Sequence, residues 1–178
     1  MPTYIALLRA VNVGGRTYKM AELRDHLTAS GLEDVETYIQ TGNVRFATTM
    51  RSRAKVEAHV EKAMLEGRGL DVPAVILTPA ELAEVHAEAM AIDDPFGKRS
   101  GSRYVSFFKE PPSASVKAAI EAHDVAGERG WVRGRAVHVW ITSPMMDAKF
   151  FDVFKKALLP GTNRNLKVVT TLAERWGS

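Results

Sequence analysis

Arg9, Asn12, Gln40 and Asn43 are the residues of this chain whose types and spacing best suit chemistry, because each stands close to a glycine turn. Arg9 and Asn12 lie in Tyr4-Ile-Ala-Leu-Leu-Arg-Ala-Val-Asn-Val-Gly-Gly15, where an apolar run gives way abruptly to a polar loop. Gln40 and Asn43 lie in Thr37-Tyr-Ile-Gln-Thr-Gly-Asn-Val-Arg-Phe46. A guanidinium, three carboxamides and the backbone N–H groups of glycine turns are donors that can converge on one phosphate or carboxylate. The competing reading is conformational. Gly42 and Asn43 would then serve a turn with positive φ, Asn12 would cap its own loop, and Arg9 would pair with a carboxylate.

Other chemistries find little support. With no cysteine in the chain, disulfides, thiolate metal sites and cysteine nucleophiles are excluded. Histidines 26, 59, 86, 123 and 138 show no pair at metal-ligand spacing, and neither a metal nor a cofactor is expected. Glu84-Val-His-Ala-Glu88 contains the His-x-Glu of zinc deaminases without their cysteines, and reads as a surface helix. Gly97-Lys-Arg-Ser100 follows no strand and lacks the P-loop glycine, and Asn12-Val-Gly-Gly15 lacks the further glycine of a dinucleotide loop. No Gly-x-Ser-x-Gly elbow is present. Pro2 at the head of a strand resembles a tautomerase base only after loss of Met1, and proline is common there. Asp93, Asp94 and Asp147 serve equally well as caps and linker residues, so no catalytic acid or base stands out.

The composition is that of a globular protein, 46% apolar and 25% charged over 178 residues. Tyr4 to Leu8 is too short an apolar run for a signal peptide or membrane span, and a cytoplasmic protein is expected. Its 24 basic and 21 acidic residues leave a formal charge of +3. The basic residues are scattered, densest at Arg51/Arg53/Lys55, Lys98/Arg99/Arg103 and Arg129/Arg133/Arg135, a pattern of solvated surface more than of a nucleic-acid stripe. Arg103-Tyr-Val-Ser-Phe-Phe108 has the aromatic-plus-basic look of RNA-binding sheets, although either of its faces serves equally as core.

The elements that must position these residues follow in order. Strands are predicted over 3–9, 34–40, 43–48 and 72–77, with Thr41-Gly42-Asn43 closing a tight hairpin. Met20, Leu23 and Leu27 mark a helix ending at Gly31, and Ser52 caps a second one carrying Val56, Val60, Ala63 and Met64. Thr78-Pro-Ala-Glu81 is a capping box that opens a third helix. That helix runs into the loop-like 93–102, so residues 1–78 and 103–178 are read as two halves joined by a helix and linker, 79–102. In the second half the spacing predicts a strand over 103–108, a helix over 113–123, a hairpin of 129–133 and 136–141 about Gly134-Arg135, and a helix capped by Asp147 that carries Phe150, Phe151, Phe154 and Leu158. Leu166, Val169, Leu172 and Trp176 predict a terminal helix where the first half has a strand. The expected class is α+β: two ferredoxin-like (β-α-β-β-α-β) antiparallel-sheet halves, the second ending in a helix. In such a half the loop leaving the first strand and the hairpin between the second and third lie at the same end. The Arg9–Gly15 loop and the Gln40–Asn43 turn should therefore form one polar edge, with the N–H groups of Gly14, Gly15 and Gly42 exposed.

The same blocks, together with Met20-Ala-Glu-Leu23, resemble the signatures of a bacterial family, domain-of-unknown-function family 1697. The resemblance implies two ferredoxin-like halves and no assigned activity. The positions matching its polar motifs are Arg9, Asn12, Gly14, Gly15, Gln40, Gly42, Asn43, Lys149, Arg164 and Asn165. Lys149 stands in Ala148-Lys-Phe150 where the family has Ser-Lys-Leu. In Arg164-Asn-Leu-Lys-Val-Val169 the family's tryptophan and following asparagine are replaced by Leu166 and Lys167. The expected function is a binding module whose edge holds an anionic small molecule or a nucleic acid. A small enzyme using that edge to stabilise an anion and a homo-oligomeric assembly protein are the alternatives; no membrane partner is expected.

Overall fold

The computed structural model describes residues 1–15, 17–97 and 101–178. Lys98 and Arg99, part of one basic group, and Ser100 of the linker motif lie outside the described residues. The chain divides into two units, Met1–Leu82 with Arg175–Ser178, and Ala83–Glu174.

In the first unit β1 (Thr3–Leu8), α1 (Met20–Ala29), β2 (Glu33–Tyr38), β3 (Asn43–Ala47), α2 (Arg53–Arg68) and β4 (Ala74–Leu77) follow the expected order. The sheet runs β2-β3-β1-β4, every pair antiparallel. β1 reads as an almost unbroken apolar run because it is an inner strand, with Ile5 to Leu8 fully buried. Its alternate residues Tyr4, Ala6 and Leu8 join Val44, Phe46 and Ile76 in a core with Leu23 and Leu27 of α1 and Val56, Val60 and Met64 of α2. That helical stripe at four-residue spacing is what fixes α1 and α2 to the sheet. Each such Leu or Val contributes roughly 1.5–3 kcal/mol through burial. The ends are set locally: the Ser52 hydroxyl accepts the Lys55 N–H, and Gly69 closes α2 at φ 67. Thr78 and Glu81 exchange backbone-to-side-chain bonds of 2.8 and 3.2 Å at the start of α3 (Pro79–Ala91). Most of α3, read from sequence as part of a connector, lies in the second unit.

The second unit repeats the pattern with β5 (Ser102–Phe107), α4 (Ala114–Glu121), β6 (Glu128–Arg133), β7 (Ala136–Ile141), α5 (Lys149–Val153), α6 (Lys155–Leu158), β8 (Thr162–Asn165) and α7 (Leu166–Trp176), the last of these up to Glu174. Its sheet order is β6-β7-β5-β8, again antiparallel throughout. Two expectations are corrected. A strand, β8, precedes the terminal helix, so this half is a complete β-α-β-β-α-β unit. Thr162-Asn-Arg-Asn165 contains no apolar residue, and only its pairing with β5, from Phe107↔Thr162 to Tyr104↔Asn165, makes it a strand. Nor does Asp147 cap the following helix. Met145–Asp147 forms a 3-10 turn, and the carboxylate of Glu128, from β6, accepts the Lys149 and Phe150 N–H groups at 2.7 and 2.8 Å. The same buried carboxylate meets His123 Nε2 at 2.9 Å. The helix is split at Phe154, whose ring packs with Phe150 in this unit's core.

His138 of β7 is 3% exposed and neither ring nitrogen has a hydrogen-bond partner. Burial, reinforced by the Arg133 and Arg103 guanidiniums, pushes the imidazole from 6.5 down to about 4. Between those values the unfolded chain binds a proton that the folded chain excludes. The stability contribution is therefore full above pH 6.5 and is lost as the pH falls through about 4, amounting to roughly 3 kcal/mol. Urea midpoints taken at neutral pH and near pH 4.5 should fall further for the wild type than for His138→Leu. Equal losses in the two proteins would show that His138 carries no such linkage.

Candidate functional site

The loop after β1 and the turn after β2 meet. Leu8 N–H donates to the Gly42 carbonyl at 2.8 Å, and Arg9 N–H donates to the Pro73 carbonyl at 2.9 Å. Beyond Arg9 the chain passes through left-handed backbone at Ala10 (φ 55) and Asn12 (φ 58). Asparagine tolerates that conformation, and here its side chain also clamps the loop. Asn12 Oδ1 accepts the Tyr18 N–H at 2.6 Å, while Nδ2 donates to the Tyr18 carbonyl at 3.0 Å and the Gln40 carbonyl at 2.7 Å. One carboxamide thus joins the loop, the approach to α1 and the β2–β3 turn.

Asn43 is fully buried, and its Nδ2 donates to the Tyr38 carbonyl at 3.1 Å and to Thr41 Oγ1 at 2.9 Å. Gly42, at φ 78, is also buried, and a Cβ placed there would lie 2.8 Å from Leu8 Cβ. The edge therefore differs from the expected one. Gly42 and Asn43 are buried in a turn pressed against β1, and the half-buried Asn12 spends its carboxamide on loop backbone, so all three act as scaffold. Facing outward are Gln40 and Thr41, and Gly14 and Gly15, which have open space where a Cβ would stand. Arg9 is half-buried, and among the described residues its guanidinium makes no hydrogen bond or ion pair.

The remaining expected residues belong to the second unit. Lys149 is exposed at the start of α5. Arg164 is 7% exposed, burial pushes it down to about 10, and its Nη1 donates to Thr162 Oγ1 at 2.7 Å and the Asn163 carbonyl at 2.8 Å. Asn165 is exposed, and its Oδ1 accepts the Lys167 N–H at 2.8 Å in the first turn of α7.

One cluster escapes sequence reading. The buried Tyr18 hydroxyl bonds to His26 Nδ1, and burial raises its pKa. Arg68 lies 5.9 Å from the Tyr18 ring centroid and donates to Glu22 Oε2 at 3.0 Å and the Thr17 carbonyl at 3.1 Å. A hollow of about 250 Å³ beside it is lined by His26, Ala29, Ser30, Ala63, Glu66 and Gly67. The available signal was Gly67 inside α2, where any Cβ would collide with the His26 imidazole. Among the described residues no group of three His, Asp or Glu side chains could hold a metal ion.

Two antiparallel α+β units, the first carrying a clamped glycine loop, define the class of protein. The chain belongs to the family described as protein of unknown function (DUF1697), whose model matches residues 1–138. That match contains the whole loop edge and stops short of Lys149, Arg164 and Asn165. The structure is similar to that of the conserved bacterial protein SP0830 from Streptococcus pneumoniae, with a TM-score of 0.78 and 23% identity over 100% of this chain and 99% of that one. At that identity the likeness shows the fold alone. None of the curated proteins matches the chain.

Two substitutions test the scaffold. Gly42→Ala should cost about 1–3 kcal/mol, from positive φ and the clash with Leu8. Asn12→Ala should cost about 1–3 kcal/mol by leaving the Tyr18 N–H and two carbonyls unpaired. Chemical denaturation with unchanged slope would measure both; a neutral Gly42→Ala would contradict the close approach.

Proposed function

We propose that this protein is a cytoplasmic binding protein whose first unit holds the phosphate or carboxylate of a small anionic molecule at the Arg9–Gly15 loop. The observation carrying this reading is the half-buried Arg9 guanidinium, without a partner among the described residues, on a loop fixed by three Asn12 hydrogen bonds. The planar guanidinium fork matches a carboxylate or phosphate, and a clamped loop backbone lowers the ordering cost of binding. Gly14 and Gly15 supply close approach, since open space stands where other residues carry a Cβ. Gln40 and Thr41 form the opposite rim. Asn12, Gly42 and Asn43 act as support, and Arg164 is given no part in the ligand contacts because burial and its bonds within β8 commit it. Lack of cysteine is in keeping with a reducing cytoplasm.

Calorimetry and thermal shift with inorganic phosphate, mononucleotides and short dicarboxylates should find a saturating anion whose affinity falls with salt. Arg9→Ala should weaken it by about tenfold or more, the loss expected for a hydrogen bond to a charged group. Oligonucleotide binding with a steep salt slope would shift the ligand to a nucleic acid. Anion binding that Arg9→Ala leaves unchanged would refute the site.

A further inference from the structure

The second unit contains a hollow of about 450 Å³ lined by Glu88, Ala91, Ile92, Asp93, Trp131 and Arg133. Ligand pockets commonly begin at about 300 Å³. Its charges are unevenly committed. Arg133 donates from Nη1 to Glu121 Oε1 at 3.2 Å and to the Val132 carbonyl at 3.0 Å, so that nitrogen is committed within the unit. Among the described residues neither Glu88 nor Asp93 has a hydrogen-bond partner. Burial, and then the neighbouring Glu84, raise the Glu88 pKa, while the Arg133 guanidinium lowers it.

An independent observation lies behind Glu88. His138, directly across from Trp131 in the β6–β7 pairing, is 3% exposed with both ring nitrogens unpartnered. Its Nε2 is 3.7 Å from Glu88 Oε2, just beyond hydrogen-bond reach. The narrow crevice that His138 lines shares Ile92 and Trp131 with the larger hollow. A buried ring with two orphaned nitrogens is costly unless something completes it.

We propose that this hollow binds a small organic cation, its ammonium head seated between the Glu88 and Asp93 carboxylates and the face of Trp131. The chemistry is complementary: two carboxylates without hydrogen-bond partners among the described residues outnumber the one Arg133 guanidinium, and an indole face attracts a cation by its quadrupole. Ala91 and Ile92 offer apolar surface to a short alkyl chain. A cation drawn against Glu88 fixes its carboxylate, and a small rotation then lets His138 Nε2–H donate to it. His138 is in this scheme a positioning residue. This site shares no residue with the anion loop of the first unit.

Butylammonium, choline and putrescine, as chlorides, should be titrated against the full chain by tryptophan fluorescence and thermal shift, with butyrate at matched ionic strength as control. At least one cation is expected to saturate, and butyrate is not. Glu88→Gln should weaken the bound cation by about tenfold or more, and Trp131→Leu by several-fold. If Glu88→Gln fails to fold, the exposed Asp93→Asn carries the same test. No saturation into the tens of millimolar, or equal affinity in wild type, Glu88→Gln and Asp93→Asn, would overturn the proposal.

Discussion

The site end of the first unit depends on Asn12. Its carboxamide oxygen and both Nδ2 hydrogens are engaged within 3.0 Å by the Tyr18 backbone and the Gln40 carbonyl. Without that clamp the loop after β1 would be a flexible stretch closed only by glycines. With it, a left-handed residue becomes the junction at which a strand, a helix approach and a hairpin turn are held together. The close contact of Gly42 with Leu8 performs the same service from the turn's side. Arg9, half-buried, follows directly on β1 at the base of that clamped loop.

The second unit uses the same architecture with different polar commitments. Glu128 replaces a local cap for α5, accepting two backbone N–H groups and meeting His123 while itself 4% exposed. A buried carboxylate is tolerated only when its lone pairs are filled, and here at least three groups fill them. Arg164 is held similarly, inside β8, by Thr162 and the Asn163 carbonyl. His138 differs from both, since neither of its ring nitrogens has a hydrogen-bond partner. Burial holds it neutral, the cheaper of two unfavourable options for an imidazole without a partner.

Much of this was legible in the chain. Apolar periodicity and turn chemistry marked every element of the first unit, and Ser52, Gly69 and the Thr78/Glu81 capping box mark helix ends through interactions spanning only a few residues. The meeting of the Arg9–Gly15 loop with the Gln40–Asn43 turn followed from strand order alone. Which residues of that edge face outward did not. Asn12, Gly42 and Asn43 have the residue types of a ligand cradle and of a turn scaffold equally, and the difference lies in where the neighbouring carbonyls stand.

The sequence by itself determined the α+β class, the paired halves and the place of the glycine loop, because those rest on hydrophobic spacing and backbone preference within short windows. Tertiary structure alone decided the rest. β8 is a strand only because β5 lies beside it, and α5 is capped by a carboxylate 21 residues away. His138 and Glu88, 50 positions apart, come within 3.7 Å through the fold of one unit. Pairing and capping at that range leave no periodic trace in the chain, since they depend on which surfaces the packed helices and sheets bring together.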